Sequence, residues 1–286
     1  MNERTILVTG ATAGLGRAVA LQLLAAGHRL IGTGRNEAAL ERLRVEVATD
    51  RFLGLRMDVT QPQEIGRAHA ETLNWTAGRG VDVLINNAGY AAMGPATDLS
   101  DADLRAQFDT NVFGVMNVIR TFVPEMRTRR SGRIVNVSSL AGRMTFPLGG
   151  AYHASKYALE ALSDALRMEL APFGVEVVVV EPGAIRTEFA GRSLERINEA
   201  KRTDSPYAPI LRDTAWLERA ATAGAQSAET VARGVVRAAL APRPRARSVL
   251  APNGRLLLGL FRVLPTSVTD ATLRRATRLT PGQLEL

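Results

Sequence analysis

The sequence predicts an α/β protein in which a parallel sheet of about seven strands is covered by helices on both faces. Three observations predict it. Short apolar, β-branched runs alternate along the chain with longer segments of helical periodicity. The first of these runs is continuously apolar, as a strand buried on both faces is. Clusters of glycine, amide and hydroxyl residues directly follow the runs, so they gather along the carboxyl edge of the sheet, where open α/β sheets bind ligands.

The first strand is Thr5-Ile6-Leu7-Val8-Thr9. Gly10-Ala11-Thr12-Ala13-Gly14-Leu15-Gly16 follows, then a helix from Arg17 to Ala26 that Gly27 stops. A glycine-rich turn between strand and helix suits a phosphate, because the backbone can approach it and the helix start offers free N–H groups. A tight turn without a ligand is the plainer reading. The second strand, Arg29 to Gly34, ends where a dinucleotide-binding unit would carry an acid for the ribose 2′-OH. Gly34 and Arg35 stand there instead, and an arginine pairs bidentately with a 2′-phosphate. That favours NADP, with NAD as the alternative and a solvent-facing arginine as the plain one. Asn36 caps a helix to Ala48, and a third strand over 51–57 runs into Asp58-Val59. Asp58 is placed either for an adenine amino group or as a cap before the next helix, Pro62 to Thr76.

The fourth strand, Val81 to Ile85, leads into Asn86-Asn87-Ala88-Gly89. A helical region from Asp98 to Arg129 contains Asn111, a poor helix-interior residue that points to a kink, a bound water or a catalytic contact. Strand five, Arg133 to Val137, ends in Ser138-Ser139. The next helix opens on Tyr152 and carries Lys156 one turn later, on the same face. A neighbouring ammonium favours phenolate, which would make Tyr152 a usable acid/base. Lysine occurs twice in the chain, at 156 and 201. Lysine can relay a proton and arginine cannot. Strand six, Val175 to Val180, leads to Glu181-Pro182-Gly183-Ala184-Ile185-Arg186-Thr187. Residues 188–225 read as a helical insert in which Phe189, Leu194, Ile197, Leu211 and Trp216 are pocket or core. Ser227 opens a helix to Leu240, 248–250 is a short last strand, and 256–264 and 269–279 are helices of a tail. No repeat or linker divides the chain, so 1–250 is one domain and 251–286 a basic tail on it.

Composition narrows the partners. The 286 residues hold no cysteine, which excludes disulfide and thiolate chemistry and fits a reducing, cytoplasmic location. The amino terminus has no signal-peptide layout, and no apolar run approaches a membrane span. The net charge of +8 is concentrated: from Pro242 on, eight arginines face only Asp270 and Glu285. The tail is therefore solvated, a subunit contact, or an element that meets an anionic membrane surface or an acidic partner. Nucleic acid is disfavoured, because no aromatics interleave with the arginines. His28, His69 and His153 are scattered and suggest no metal site.

Thr9-Gly10-x-x-x-Gly14-x-Gly16, Asn86-Asn87-Ala88-Gly89, Asn111, Ser139, Tyr152-x-x-x-Lys156 and Pro182-Gly183 occur together and in order, with thirteen residues from Ser139 to Tyr152. Over residues 4–250 the sequence resembles the short-chain dehydrogenase/reductase family, whose fold is a single-domain Rossmann type. The resemblance implies that Tyr152 is the acid/base and that Lys156 lowers its pKa and holds the nicotinamide ribose. It implies that Ser139 polarises the substrate carbonyl and that Asn111 holds a relay water. It implies that Gly10, Thr12, Gly14, Leu15 and Gly16 face the pyrophosphate, Arg35 the 2′-phosphate, and Asp58 and Val59 the adenine. Asn87, Ala88 and Gly89 would face the adenosine ribose, and Pro182, Gly183, Ile185 and Thr187 the nicotinamide.

Tyr90-x-x-x-Gly94-Pro95 and residues 108–114 look most like members acting on steroids, retinoids and other hydrophobic alcohols or ketones. An apolar pocket of Tyr90, Met93, Leu140, Met144, Phe146, Leu148 and Phe189 would suit them. A homodimer or homotetramer is implied, built on the helices carrying Asn111 and Tyr152. The alternatives are a keto group of a sugar or polyketide as substrate, or a non-catalytic sensor of NADP.

Overall fold

All five residues of β1 (Thr5–Thr9) are buried. Successive side chains leave a strand on opposite sides. Ile6 and Val8 enter one apolar core and Leu7 enters another. Both faces are covered, which is why the run shows no polar alternation. The structure, a computed structural model, describes residues 3–186, 205–212, 219, 222 and 224–284. Its strands are β1, β2 (Arg29–Gly34), β3 (Phe52–Arg56), β4 (Val83–Asn86), β5 (Gly132–Val137), β6 (Val175–Glu181), β7 (Ile185–Arg186), β8 (Gln226–Ser227) and β9 (Arg247–Val249). Seven of them form one sheet in the order β3-β2-β1-β4-β5-β6-β9, and every neighbouring pair is parallel. The protein therefore has the expected Rossmann-type α/β fold.

On one face lie α1 (Gly14–Ala25), α2 (Glu37–Val47) and α7 (Ala228–Leu240), which give Val19, Leu23, Leu43, Ala232 and Val235 to the first core. On the other lie α3 (Pro62–Trp75), α5 (Val115–Arg129) and α6 (Gly150–Leu170), which give Ile65, Val118, Phe122, Met126 and Leu159 to the second. Each of these side chains larger than alanine contributes about 1.5–3 kcal/mol on burial. Helix starts follow the capping residues. The Asn36 side chain accepts from Ala39 N–H at 2.9 Å, and the Ser227 hydroxyl accepts from Thr230 N–H at 3.2 Å. Between β4 and α5 the expected single helical region is three pieces. α4 (Asp101–Phe108) opens on a capping box at Ser100, a π-helical turn spans Asp109–Gly114, and α5 continues.

Two features depart from the sequence expectation. β7 and β8 pair with each other, Ile185 with Gln226 and Arg186 with Ser227, outside the main sheet. Two-residue strands carry no detectable period. Arg247 does not belong to a solvated tail either. It lies in β9 and pairs with Asp164 at 2.6 Å, Glu160 at 3.0 Å and Glu181 at 3.4 Å. The tail proper contains α8 (Gly254–Val263) and α9 (Thr266–Ala276). Within the expected insert the described residues include one helical turn, Ala208–Leu211. Thr187, Phe189, Leu194, Ile197 and Trp216 lie outside the described residues.

Candidate active site

The strand order reverses between β1 and β4, and open α/β sheets form a ligand crevice at such a point. Gly10 sits at the end of β1 with φ +68°, and a Cβ on it would lie 3.1 Å from Ala88 Cα. Gly16 has no room for a side chain: a Cβ would lie 2.1 Å from the Gly10 carbonyl oxygen and 2.4 Å from Asn87 Nδ2. Hydrogen bonds lace the two strand ends together. Asn87 and Ala88 donate their N–H groups to Thr9 Oγ1 at 3.0 and 2.9 Å. Asn87 Nδ2 donates to the carbonyls of Thr9 at 2.9 Å and Gly10 at 3.2 Å. The Asn87 amide nitrogen is thus engaged in shaping the crevice. α1 begins there with no side-chain cap and no acid in its first turn, and Leu15 is half-buried against the core. A close backbone with free helix-terminal N–H groups fits a pyrophosphate.

At the end of β2, a Cβ on Gly34 would lie 2.8 Å from Thr12 Cγ2. Arg35 is 75 % exposed, and its Nη1 lies 3.9 Å from Asp58 Oδ2. The other oxygen of Asp58 accepts from Thr60 N–H at 2.9 Å and Thr60 Oγ1 at 2.8 Å, so this carboxylate caps the turn before α3. Val59 is buried beside the π-turn, where a Cβ on Gly114 would meet its Cγ2 at 2.9 Å.

That π-turn carries Asn111, which is buried. Single π-turns inside helices occur often at functional sites. Asn111 Oδ1 accepts from Tyr90 N–H at 3.2 Å, and Nδ2 donates to Tyr90 O at 3.0 Å and Ser155 Oγ at 3.1 Å. It ties the loop after β4 to α6. A Cβ on Gly89 would come within 3.0 Å of Asn111 Oδ1.

Tyr152 lies in the first turn of α6 and Lys156 one turn on, with Lys156 Nζ 5.8 Å from the Tyr152 ring centroid. Lys156 Nζ donates to Val137 O at 2.9 Å. The Tyr152 phenol is hydrogen-bonded to the Ser139 side chain, and Ser139 Oγ accepts Ala141 N–H at 3.1 Å. Tyr152, Ser139 and Lys156 are therefore one cluster. Burial lowers the Lys156 pKa to about 8, with the Glu160 carboxylate opposing the fall. The expectation that the ammonium depresses Tyr152 is corrected. Burial is the larger effect and raises the phenol above its ordinary value, while the Ser139 hydrogen bond pulls it partly back.

Beside the cluster, Met144 and Leu148 are buried, and Phe146 meets His153 edge-on at 4.2 Å between ring centroids. Leu148 packs with Ile210 and Leu211, against which Met93, Tyr207 and the tail residues Leu279 and Leu284 also lie. Pro182 O accepts Leu140 N–H at 2.9 Å. A Cβ on Gly183 would meet Ala251 Cβ at 2.9 Å, and one on Gly254 would meet Leu140 Cδ2 at 3.3 Å. Ile185 packs partly buried against the first core. The tail thus forms part of this wall.

The profile of the family described as short chain dehydrogenase matches residues 4–198. The chain belongs to this family. It is 33 % identical over 273 residues to an NADPH-dependent 3-dehydrocapnine reductase of Ornithobacterium rhinotracheale, covering 93 % of this chain and 95 % of that protein. Among solved structures, a short-chain dehydrogenase from Streptomyces avermitilis superposes with a TM-score of 0.78 at 31 % identity, over 98 % of each chain. One from Burkholderia phymatum in complex with NAD superposes with a TM-score of 0.79 at 29 % identity, over 91 % of this chain and 92 % of that one. This dehydrogenase is an oxidoreductase, and a nicotinamide dinucleotide is the class of cofactor its crevice fits.

Two residues of this dehydrogenase escaped the sequence reading, and Thr9, read only as the start of the glycine motif, laces β1 to β4. Buried Gln107 accepts from Ala92 N–H at 2.6 Å and donates to Tyr90 O at 2.8 Å, so it holds the loop before the pocket. A glutamine inside an otherwise ordinary helical pattern carries no signal. Glu160 shares the helix of Lys156 at i+4, a spacing that could have flagged it. Among the described residues, no cluster of three or more His, Cys, Asp or Glu side chains could hold a metal, and no helix is long and apolar enough to cross a membrane.

Proposed function

We propose that this dehydrogenase transfers a hydride between NADP(H) and a carbonyl or secondary alcohol on an apolar substrate. One observation carries the reading: the Tyr152 phenol bonds to Ser139 with the Lys156 ammonium alongside, at the same sheet edge as the glycine crevice. The nicotinamide, when bound, supplies or accepts the hydride at its C4. The chain's own residues orient the substrate and move the proton. Ser139 donates a hydrogen bond to the substrate oxygen and polarises it. Tyr152 delivers a proton to that oxygen in reduction and removes one in oxidation. Its raised pKa keeps the phenol in the acid form at neutral pH, which suits reduction. Lys156, with a pKa of about 8, is cationic at neutral pH and stabilises the phenolate as it forms. Lys156 also holds the nicotinamide ribose, and Asn111 anchors the relay behind it.

NADP rests on Arg35, exposed just past β2 where Gly34 stands in place of an acid, with only a loose 3.9 Å contact to Asp58 holding the guanidinium that would meet a 2′-phosphate. The apolar wall around Met93, Met144 and Leu148 supports a hydrophobic substrate. Residues 1–250 make up the catalytic domain, with 188–225 as its substrate-side insert. Phe113 and Tyr157 are exposed apolar residues next to Asn111 and on α6, and they support a homodimer or homotetramer built on those helices.

The test is a side-by-side titration of NADPH and NADH into wild type and Arg35→Ala, followed by a screen of ketones and aldehydes. NADPH should bind tightly, and Arg35→Ala should weaken it by about tenfold or more with NADH little changed. Equal affinities, or a preference for NADH, would remove the NADP assignment. Binding of neither would remove the catalytic reading.

A further inference from the structure

Most large apolar side chains of the described residues are buried between sheet and helices, but one concentration is left outside. Of the ten exposed large hydrophobic residues described, six fall between positions 256 and 268: Leu256, Leu257, Leu260, Val263, Leu264 and Val268. In α8, Leu256, Leu260 and Val263 follow i, i+4, i+7 spacing and share one face. Leu258 turns inward at 9 % exposure with Phe261 half-buried one turn on, and Gly254 seats the helix start on Val249 and Leu140. The helix is therefore amphipathic in the reverse sense, with its apolar stripe facing away from the protein. A contiguous apolar stripe of this kind marks an interaction site.

Charge selects the partner. Arg255, Arg262, Arg274 and Arg275 are exposed along α8 and α9, and Asp270 is the one acid between residues 254 and 278. A two-fold contact with a second copy would set this cationic surface against itself. An anionic lipid surface meets both needs. Leucine side chains enter the boundary between headgroups and acyl chains, and guanidinium groups stay at the phosphates. α8 has ten residues, too few to span a bilayer, so the geometry is one of lying in the interface.

We propose that α8 and α9 dock the protein on an anionic lipid surface, with Leu256, Leu260 and Val263 inserted and the four arginines on the headgroups. The docking goes beyond the catalytic reading and does not depend on it. The two meet at one place: α8 starts on Leu140, and Leu279 after α9 packs against the cluster of Leu148, Ile210 and Leu211, so the lipid-facing tail also walls the apolar pocket.

The test is flotation of the full-length protein with vesicles of phosphatidylcholine alone and of phosphatidylcholine with phosphatidylglycerol, at low and high salt. Wild type should float with the anionic vesicles only and be released by salt. The triple variant Leu256→Ser, Leu260→Ser, Val263→Ser should lose partitioning by more than about tenfold, with circular dichroism and thermal midpoint unchanged. The double variant Arg255→Gln, Arg262→Gln keeps the leucines, and it should weaken partitioning about fivefold per arginine and flatten the salt dependence. No flotation, equal flotation with both vesicles, or a triple variant that floats like wild type would overturn the proposal. A dimer in sedimentation that the triple variant dissolves, without vesicle binding, would assign the face to a second copy and overturn it too.

Discussion

Lys156 should set the alkaline limit of carbonyl reduction. Its ammonium is buried against the end of β5, where desolvation brings its pKa to about 8 and the Glu160 carboxylate opposes the fall. The cation is the acid form, so activity that needs it is full below this value and is lost above it. Tyr152 imposes no such limb in reduction, because burial raises its pKa and keeps the phenol protonated through the same range. The value of kcat/KM for NADPH reports groups of the free enzyme. It should fall to half near pH 8 and to about one-tenth near pH 9. Lys156→Arg keeps a cation that does not titrate in this range. Its rate should drop, because a guanidinium does not reproduce the hydrogen bond to Val137 O, yet its profile should stay level past pH 9. Glu160→Gln removes the carboxylate that supports the charge and should move the limb to lower pH. The assay is steady-state NADPH oxidation with a reactive ketone from about pH 6 to about pH 10. A wild-type profile flat across that range, or a fall that survives unchanged in Lys156→Arg, refutes the reasoning.

Gly16→Ala would put a methyl 2.1 Å from the Gly10 carbonyl oxygen, so the crevice must distort at a cost of about 1–3 kcal/mol. Dinucleotide affinity should fall at least about tenfold by fluorescence titration, and unchanged affinity would place the cofactor elsewhere. Tyr152→Phe removes the proton donor and should lower kcat about 10²–10⁴-fold with NADPH binding retained, a split that separates chemistry from folding. Arg247→Met leaves Glu160, Asp164 and Glu181 without their shared cation. Breaking a buried pair costs about 3–5 kcal/mol, and the 29 % exposure of the arginine side chain brings the expectation to about 2–3 kcal/mol in urea unfolding. Arg247 holds the Asp164 pKa down, so that stabilisation is present at neutral pH and is lost as pH falls through the depressed value. The deficit of the variant should shrink in acid, and a deficit independent of pH would refute the ion-cluster account.

The sheet was legible because burial on both faces writes itself as apolar runs, and because each run ends in residues with a distinct backbone role. Gly10 and Gly16 stand where a Cβ collides, and Asn111 stands where a helix widens into a π-turn. Both could be inferred from residue type alone. Other features depend on contacts between distant segments. Arg247 read as one more basic residue of the tail, since its partners on α6 lie more than eighty positions away. Gln107 looked like any polar residue on a helix. The sign of the Tyr152 shift could not be read from i, i+4 spacing, which gives a neighbouring charge but not the burial that raises the phenol.

The ion cluster that joins α6 to β9 has a consequence for the order in which the protein is made. Glu160 and Asp164 are joined by Arg247 across sequence separations of 87 and 83 residues. While a ribosome is still adding those residues, the emerged α6 holds its carboxylates without Arg247, and the sheet lacks β9 at its edge. The helix that bears Tyr152 and Lys156 therefore gains this counter-ion only late in synthesis. Nascent chains that stop short of β9 would hold the dinucleotide crevice but not the electrostatic frame of the proton-transfer cluster, so competence for turnover arrives after the first half of the sheet has assembled.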